Sequence, residues 1–316
     1  MTSFRTATST TFTARTPEDV LAMVPVVLGF VPSDSVAMLT FGATKPFHAR
    51  VDLPADVDEI PEVVASLRDP ARAHGVRRAL FVLYTADARV GAATARALIG
   101  AFARCGIDVI DALRADGARW FPAVGTRPGV PPWGVPYDVS AHPFLARSVV
   151  DGRVTYPSRE ELRATLGGDP ARIAGVVGAL AALTGDPATG PGEARWGQDL
   201  VERHVRAATS PDDPEVARLL RGMLETCVRD AAWAAITRES AREHVRFWSD
   251  VLRRGPTPML AAPAALLAFA AWQAGQGALA WCALDRCAEA DEHYSLASLV
   301  AEALQRAVPP DAWEPE

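Results

Sequence analysis

A chain of 316 residues with 49% hydrophobic and 22% charged side chains has the apolar mass for two cores and excludes a disordered polymer. A net charge of −6 excludes a long-range basic field that would gather nucleic acid. The single lysine, Lys45, lies in Gly42-Ala43-Thr44-Lys45-Pro46, which lacks the Gly-Lys-Ser/Thr order of a phosphate cradle, and the absence of asparagine excludes kinase-type metal ligation and an Asn-oriented cysteine protease site.

In chain order, Thr6–Thr13 reads as an edge strand, rich in threonine. Thr16-Pro17-Glu18-Asp19 then supplies an N-cap, a first-turn proline and first-turn acids, so a helix should run to Gly29 with a break or kink at Pro25. Ser35–Phe41 and Phe47–Leu53 form a predicted hairpin. Ile60, Val63, Val64 and Leu67 give helical spacing over Val57–His74, closed by Gly75. Arg78–Tyr84 is a continuous apolar strand expected to be buried on both faces. A helix over Val90–Cys105, a strand over Ile107–Leu113 and a short partner at Arg119–Phe121 complete one mixed sheet with packed helices.

Pro122–Pro136 is dense in proline and glycine and reads as an irregular, functional or linking loop. Beyond it the signals are helical: Ser158-Arg159-Glu160-Glu161 as a capping box, then Pro170–Leu183, Glu193–Ala208, Pro214–Ile236 and Glu239–Arg253. The fold class is therefore α+β or α/β at the N-terminus, residues 1–136, followed by an all-α region, residues 137–316, whose last stretch from about 257 is TPR-like. One tetratricopeptide-type hairpin can be laid over Ala264–Tyr294. Leu267 and Ala268 form its large–small pair, Gly275 lies between its helices and Ala280 at their crossing; the signature Trp and Tyr are replaced by Ala, and the final Pro by Glu292.

Cys105, Cys227, Cys282 and Cys287 show no metal or redox spacing and read as small core residues in a reducing compartment. The N-terminus carries no apolar leader core. The uncharged run Thr257–Leu284 is alanine-rich and interrupted by Pro263, Gln273, Gly275, Gln276 and Gly277, so no membrane span is expected.

Several segments together carry a family resemblance. They include Arg15-Thr16-Pro17-Glu18-Asp19-Val20-Leu21, Leu28-Gly29-Phe30-Val31-Pro32-Ser33-Asp34-Ser35-Val36, Val135-Pro136-Tyr137-Asp138 with His142-Pro143-Phe144, and Gly277–Asp285. The chain resembles the actinobacterial family known as domain of unknown function 4192 over roughly Thr16 to Trp313. The resemblance implies a bacterial cytoplasmic protein and carries over no catalytic residue, substrate or cofactor.

Candidate chemistry is sparse. Ser33 and Ser35 follow Leu28-Gly29-Phe30-Val31-Pro32; they read as a nucleophile or anion ligand on a tight loop, or as turn residues bonding the backbone. His48, Arg50 and Asp52 alternate on one strand face, which is either a polar binding surface or the solvated face of a half-buried strand. Arg119 beside Trp120 suits ring stacking or packing on the long loop. Tyr137, Asp138 and His142 follow that loop: Asp138 or Ser140 is the expected cap of the next helix, and an Asp138–His142 pair would suit acid–base work or loop fixation. No metal and no cofactor is expected.

The preferred function is a ligand-sensing or protein-interaction module, with a small molecule or protein as partner and a homo-oligomer left open. The alternatives are a hydrolase-like enzyme sited near the 31–35 and 122–142 loops, and arginine-mediated nucleic-acid binding. The enzyme reading requires Ser35, Asp138 and His142 to converge.

Overall fold

Residues 2–5, 11–43, 47–185 and 190–313 are described by a computed structural model. They fall into two compact units, Met1–Arg159 and Glu160–Glu316.

In the first unit, β1 (Thr2–Arg5) and β2 (Thr11–Ala14) pair as an antiparallel ribbon. The predicted Thr6–Thr13 strand thus meets β2 at its end, while residues 6–10 lie outside the described residues. Helix α1 (Pro17–Leu28) starts in a capping box: the Asp19 N–H donates to Thr16 Oγ1 at 3.2 Å and the Thr16 N–H to Asp19 Oδ2 at 3.0 Å. Pro25 does not end the helix. It removes one N–H donor near the C-terminus, whereas packing buries every residue from Val20 to Val26. Gly29, at φ 82°, closes the helix with its N–H on the Pro25 carbonyl.

Strands β3 (Ser35–Phe41) and β4 (His48–Asp52) form the expected antiparallel hairpin. Helix α2 (Ile60–Ala73), β5 (Arg78–Tyr84), α3 (Ala88–Arg104), β6 (Asp108–Ala115), β7 (Arg119–Pro122) and β8 (Val135–Pro136) follow. The six strands lie in the order β4-β3-β5-β6-β7-β8; β5 and β6 are parallel and the other neighbours antiparallel. Alternation along the strands feeds two cores. Val36, Met38, Phe81 and Leu83 meet α2 and α3, where Phe81 and Phe102 pack edge-on with ring centroids 5.0 Å apart. Ala37, Leu39, Val82, Tyr84 and Leu113 form the opposite core with α1. Strand β5 is therefore buried on both faces, as its unbroken apolar run predicts. The unit continues past Pro136: α4 (Pro143–Val150) packs on α1, with Phe144 and Leu145 against the α1-side core.

The second unit is helical among its described residues: α5 (Arg159–Ala164), α6 (Pro170–Ala182), α7 (Pro191–Ala207), α8 (Asp213–Gly222), α9 (Thr226–Ala234), α10 (Ala241–Arg254), α11 (Ala261–Gln273), α12 (Gly277–Ala288) and α13 (Ser295–Gln305). The single helix predicted over Pro214–Ile236 is in fact two. The chain turns at Met223–Glu225 because α8 packs on α6 while α9 packs on α7, and Gly222 makes room for Val228, which would lie 3.3 Å from a Cβ there. Helix α11 is buried on all sides, as an apolar helix at the centre of a core should be. No helix among the described residues is long and apolar enough to cross a membrane. Helices α11 and α12 pack as a hairpin through Ala274–Gln276, with Ala280 fully buried. Cys282 and Cys287 are small core residues as expected; Cys105 and Cys227 are exposed, because one ends α3 and the other lies in the outward first turn of α9.

Histidine burial has a consequence for acid stability. His244 on α10 is 1% exposed, and burial pushes its imidazole down to about 4. The folded chain keeps it neutral while the unfolded chain protonates it below about 6.5, so stability falls as pH drops from about 6.5 to about 4. In urea titrations across that window, His244→Phe should remove the His244 share of the loss, on the order of 3 kcal/mol.

Candidate functional site

The N-terminus of α1 is the hub of one group of polar residues. Trp120 is 4% exposed and its indole N–H donates to Glu18 Oε1 at 2.9 Å. His142 Nε2 lies 3.2 Å from Asp19 Oδ1. His142, not Asp138 or Ser140, caps α4: its Nδ1 accepts the Phe144 N–H at 3.2 Å. An Nδ1 that accepts carries no proton, so Nε2–H is the donor to Asp19. Asp138 instead closes a local turn by accepting the Ser140 N–H at 2.8 Å, a bond that holds its carboxyl below the ordinary value. Burial pushes Asp19 up, yet the Arg15 and Thr16 N–H groups and His142 together outweigh it and hold the carboxyl below its ordinary value.

Sequence reasoning assigned Glu18 and Asp19 only to the helix start. Their second role lies across the chain, Asp19 meeting a histidine 123 residues away. Asp19→Ala removes the capping-box acceptor and the His142 partner together, and should destabilise the first unit by about 1–2 kcal/mol at pH 7. A carboxylate held below its unfolded value stabilises the fold above that value, and this gain is lost as pH falls through the folded value. Wild type and Asp19→Ala should therefore converge in acid, read by urea unfolding at pH 7 and pH 3.

Ser35 is fully buried and aligned across the sheet with Tyr84; among the described residues Ser35 Oγ and Tyr84 Oη have no hydrogen-bond partner. Burial, reinforced by nearby Tyr137, pushes the Tyr84 hydroxyl well up. Tyr137 is itself half-buried against the α1-side core. Both ring nitrogens of His142 are engaged elsewhere, so Ser35, Asp138 and His142 form no hydrogen-bonded relay.

Strand β4 departs from the solvated face read for it. His48, Arg50 and Asp52 align with Leu39, Ala37 and Ser35, on the face that α1 covers, and the first two are half-buried. Burial pushes His48 down to about 4, and its Nδ1 accepts the Thr40 N–H at 3.4 Å. Arg50 pairs with Asp52 at 2.7 Å and donates to the carbonyl of exposed Ser33 at 3.4 Å. Arg119 fastens β7 to the long loop, donating to the Trp133 and Gly134 carbonyls at 3.3 and 3.2 Å. Gly134 is required there: at φ 76° it meets the Phe121 ring, which would lie 2.5 Å from a Cβ.

An open concavity of this unit lies elsewhere, beside the first half of β6. The β5–β6 register shifts between Ala79 and Leu80, which pair with Val109 and Asp111, so Ile110 bulges out and is 37% exposed. Strand β7 pairs with β6 only over Leu113–Ala115, and the Ala123 N–H then bonds the Ala112 carbonyl at 2.9 Å. Among the described residues, Asp108–Asp111 has no strand neighbour on that side. The resulting groove of about 310 Å³ is walled by Ile99, Val109, Ile110, Pro122, Val124 and Pro128, with the Asp111–Arg127 ion pair at its polar end. Its chemistry suits a small amphipathic molecule; no histidine or cysteine lines it. Sequence reasoning named the 122–136 loop but missed Ile110, Asp111 and Arg127. The available signal was the pair Asp108 and Asp111, three apart, which cannot share a face of a regular strand.

Among the described residues no group of three or more His, Cys, Asp or Glu side chains is placed to hold a metal ion. Comparison with curated proteins and with solved structures gives no match. The family model described as Domain of unknown function (DUF4192) matches residues 17–311, which takes in α1, the whole six-stranded sheet and the helices through α13. The chain belongs to the DUF4192 family.

Proposed function

We propose that this chain is a cytoplasmic binding protein rather than an enzyme, and that its first unit takes a small amphipathic molecule in the groove at Ile110. One observation carries the reading: the groove sets aliphatic side chains such as Ile99, Val109 and Val124 beside polar surface and a single ion pair, Asp111–Arg127, with no nucleophile–base pair, which favours binding over chemistry. The engaged nitrogens of His142 and the burial of Ser35 weigh against the hydrolase-like alternative. The acidic balance of the chain weighs against nucleic acid. In the second unit, the α11–α12 hairpin, with Gly275 between its helices and buried Ala280, supports a TPR-like surface for a peptide or protein.

A fragment library screened by amide NMR on the intact chain tests the groove. Shift changes should cluster at Ile110, Val124, Thr126 and Arg127 and vanish in Val124→Glu. Binders that ignore that substitution, or steady hydrolysis of ester or amide substrates that disappears in His142→Ala, would overturn the reading.

A further inference from the structure

Three aromatic rings of the helical unit form a cradle. Trp233 on α9 and Phe269 on α11 pack edge-on at 5.5 Å, and Phe269 meets Trp272 at 5.6 Å. A fourth ring, Trp313, seats on all three, with centroids 5.5, 5.4 and 6.2 Å from Trp233, Phe269 and Trp272. The segment that delivers it, residues 308–313, lies over α11 as a strap: Pro309 is extended, and Pro310–Ala312 closes a single 3-10 turn that ends at Trp313. Three kinds of contact hold it: the Trp313 ring, an indole N–H of Trp272 donating to the Val308 carbonyl at 3.0 Å, and an Arg238–Asp311 pair at 3.8 Å. Both members of that pair are more than one-third exposed, so it steers more than it binds.

We infer that the Trp233–Phe269–Trp272 cradle is a peptide-binding site, occupied here by the chain's own strap, and that its partner is a protein segment of the same chemistry: two prolines, an acid and then an aromatic ring. Each part of the site matches a part of that ligand. Pro309 enters extended at φ −71° and ψ 142° and Pro310 opens the 3-10 turn, and the fixed φ of both prolines leaves the segment little backbone entropy to lose. The Trp272 indole N–H takes the main-chain carbonyl of Val308, where the segment begins, beside the rings that receive its aromatic end. Arg238 meets the acid. The strap leaves α13 through Ala307, which at φ 51° turns the chain out of the helix while the Val308 N–H closes on the Ala303 carbonyl at 2.8 Å. The inference deepens the reading of the helical unit as a binding surface and uses no residue of the groove at Ile110.

The test is fluorescence polarisation with a labelled peptide of sequence 307–316, added to the intact chain and to Trp313→Ala, which keeps the whole chain but empties the cradle. A resident strap competes with the peptide, so Trp313→Ala should bind at least about 10-fold more tightly than wild type. Binding should be lost when the peptide's tryptophan is alanine, and weakened about 2–5-fold by Arg238→Ala. Equal binding to both chains, or none to a Trp313→Ala chain with unchanged circular dichroism, overturns the inference. Should that variant not fold, hydrogen exchange on wild type decides: amides of the strap must exchange far faster than those of α11, and equal protection overturns it. A fragment bound at Ile110 would survive either failure.

Discussion

Trp248→Ala is expected to destabilise the helical unit by about 3–5 kcal/mol, the range for truncating a fully buried aromatic ring. Trp248 is 0% exposed on α10, edge-on to Phe247 with ring centroids 4.9 Å apart, and α10 packs on α6, α7 and α11. A void at that junction cannot close by moving one helix, because each neighbour is held by the others. The indole N–H of Trp248 has no acceptor among the described residues. Trp248→Phe therefore leaves a smaller cavity and also removes an orphan donor that costs about 1–3 kcal/mol when buried, so its net loss should stay under about 1.5 kcal/mol. Urea midpoints of the two variants should separate widely. A Trp248→Ala midpoint near wild type would show that the junction repacks.

Arg254→Met is the second large effect, expected at about 3 kcal/mol. The guanidinium is 3% exposed; its Nη1 donates to the Pro211 carbonyl at 2.7 Å and to Asp250 Oδ2 at 3.1 Å, and its Nη2 pairs with Asp213. Removing one member of a buried ion pair leaves its partners desolvated, a loss of about 3–5 kcal/mol in general. The lower end applies because Asp213 is 40% exposed and can rehydrate, and because Asp250 keeps Arg172 at 2.6 Å. Adding Asp213→Asn to Arg254→Met should recover part of the loss. A double variant no more stable than the single would show that the Pro211 carbonyl, not the carboxylate, is the group left stranded.

Local elements were legible because their signals sit within a few residues of each other. The Thr16–Asp19 cap, the Gly29 and Gly75 closures, the Ser35–Leu53 hairpin and the doubly buried Arg78–Tyr84 strand each follow from spacing and turn chemistry. The helical character of the second half follows equally from period. The failures share a cause. The face of His48 and Arg50 depends on which side α1 covers, and a strand's alternation says only that two faces differ. The break at Met223–Glu225 depends on α8 and α9 choosing different partners. The candidate groove depends on a register shift between β5 and β6, a property of two strands and not of one.

By itself, then, the sequence determined the inventory: a mixed sheet with packed helices, a helical second half, and the absence of a phosphate-cradling loop or an asparagine-dependent site. The tertiary structure alone decided who meets whom. It brought Asp19 to His142 and Glu18 to Trp120, and it seated Trp313 on Trp233 and Phe269. Caps, turns and periods are written by backbone geometry over one or two turns of chain. A partner a hundred residues away is chosen by the packing of whole elements, which no short stretch of sequence encodes.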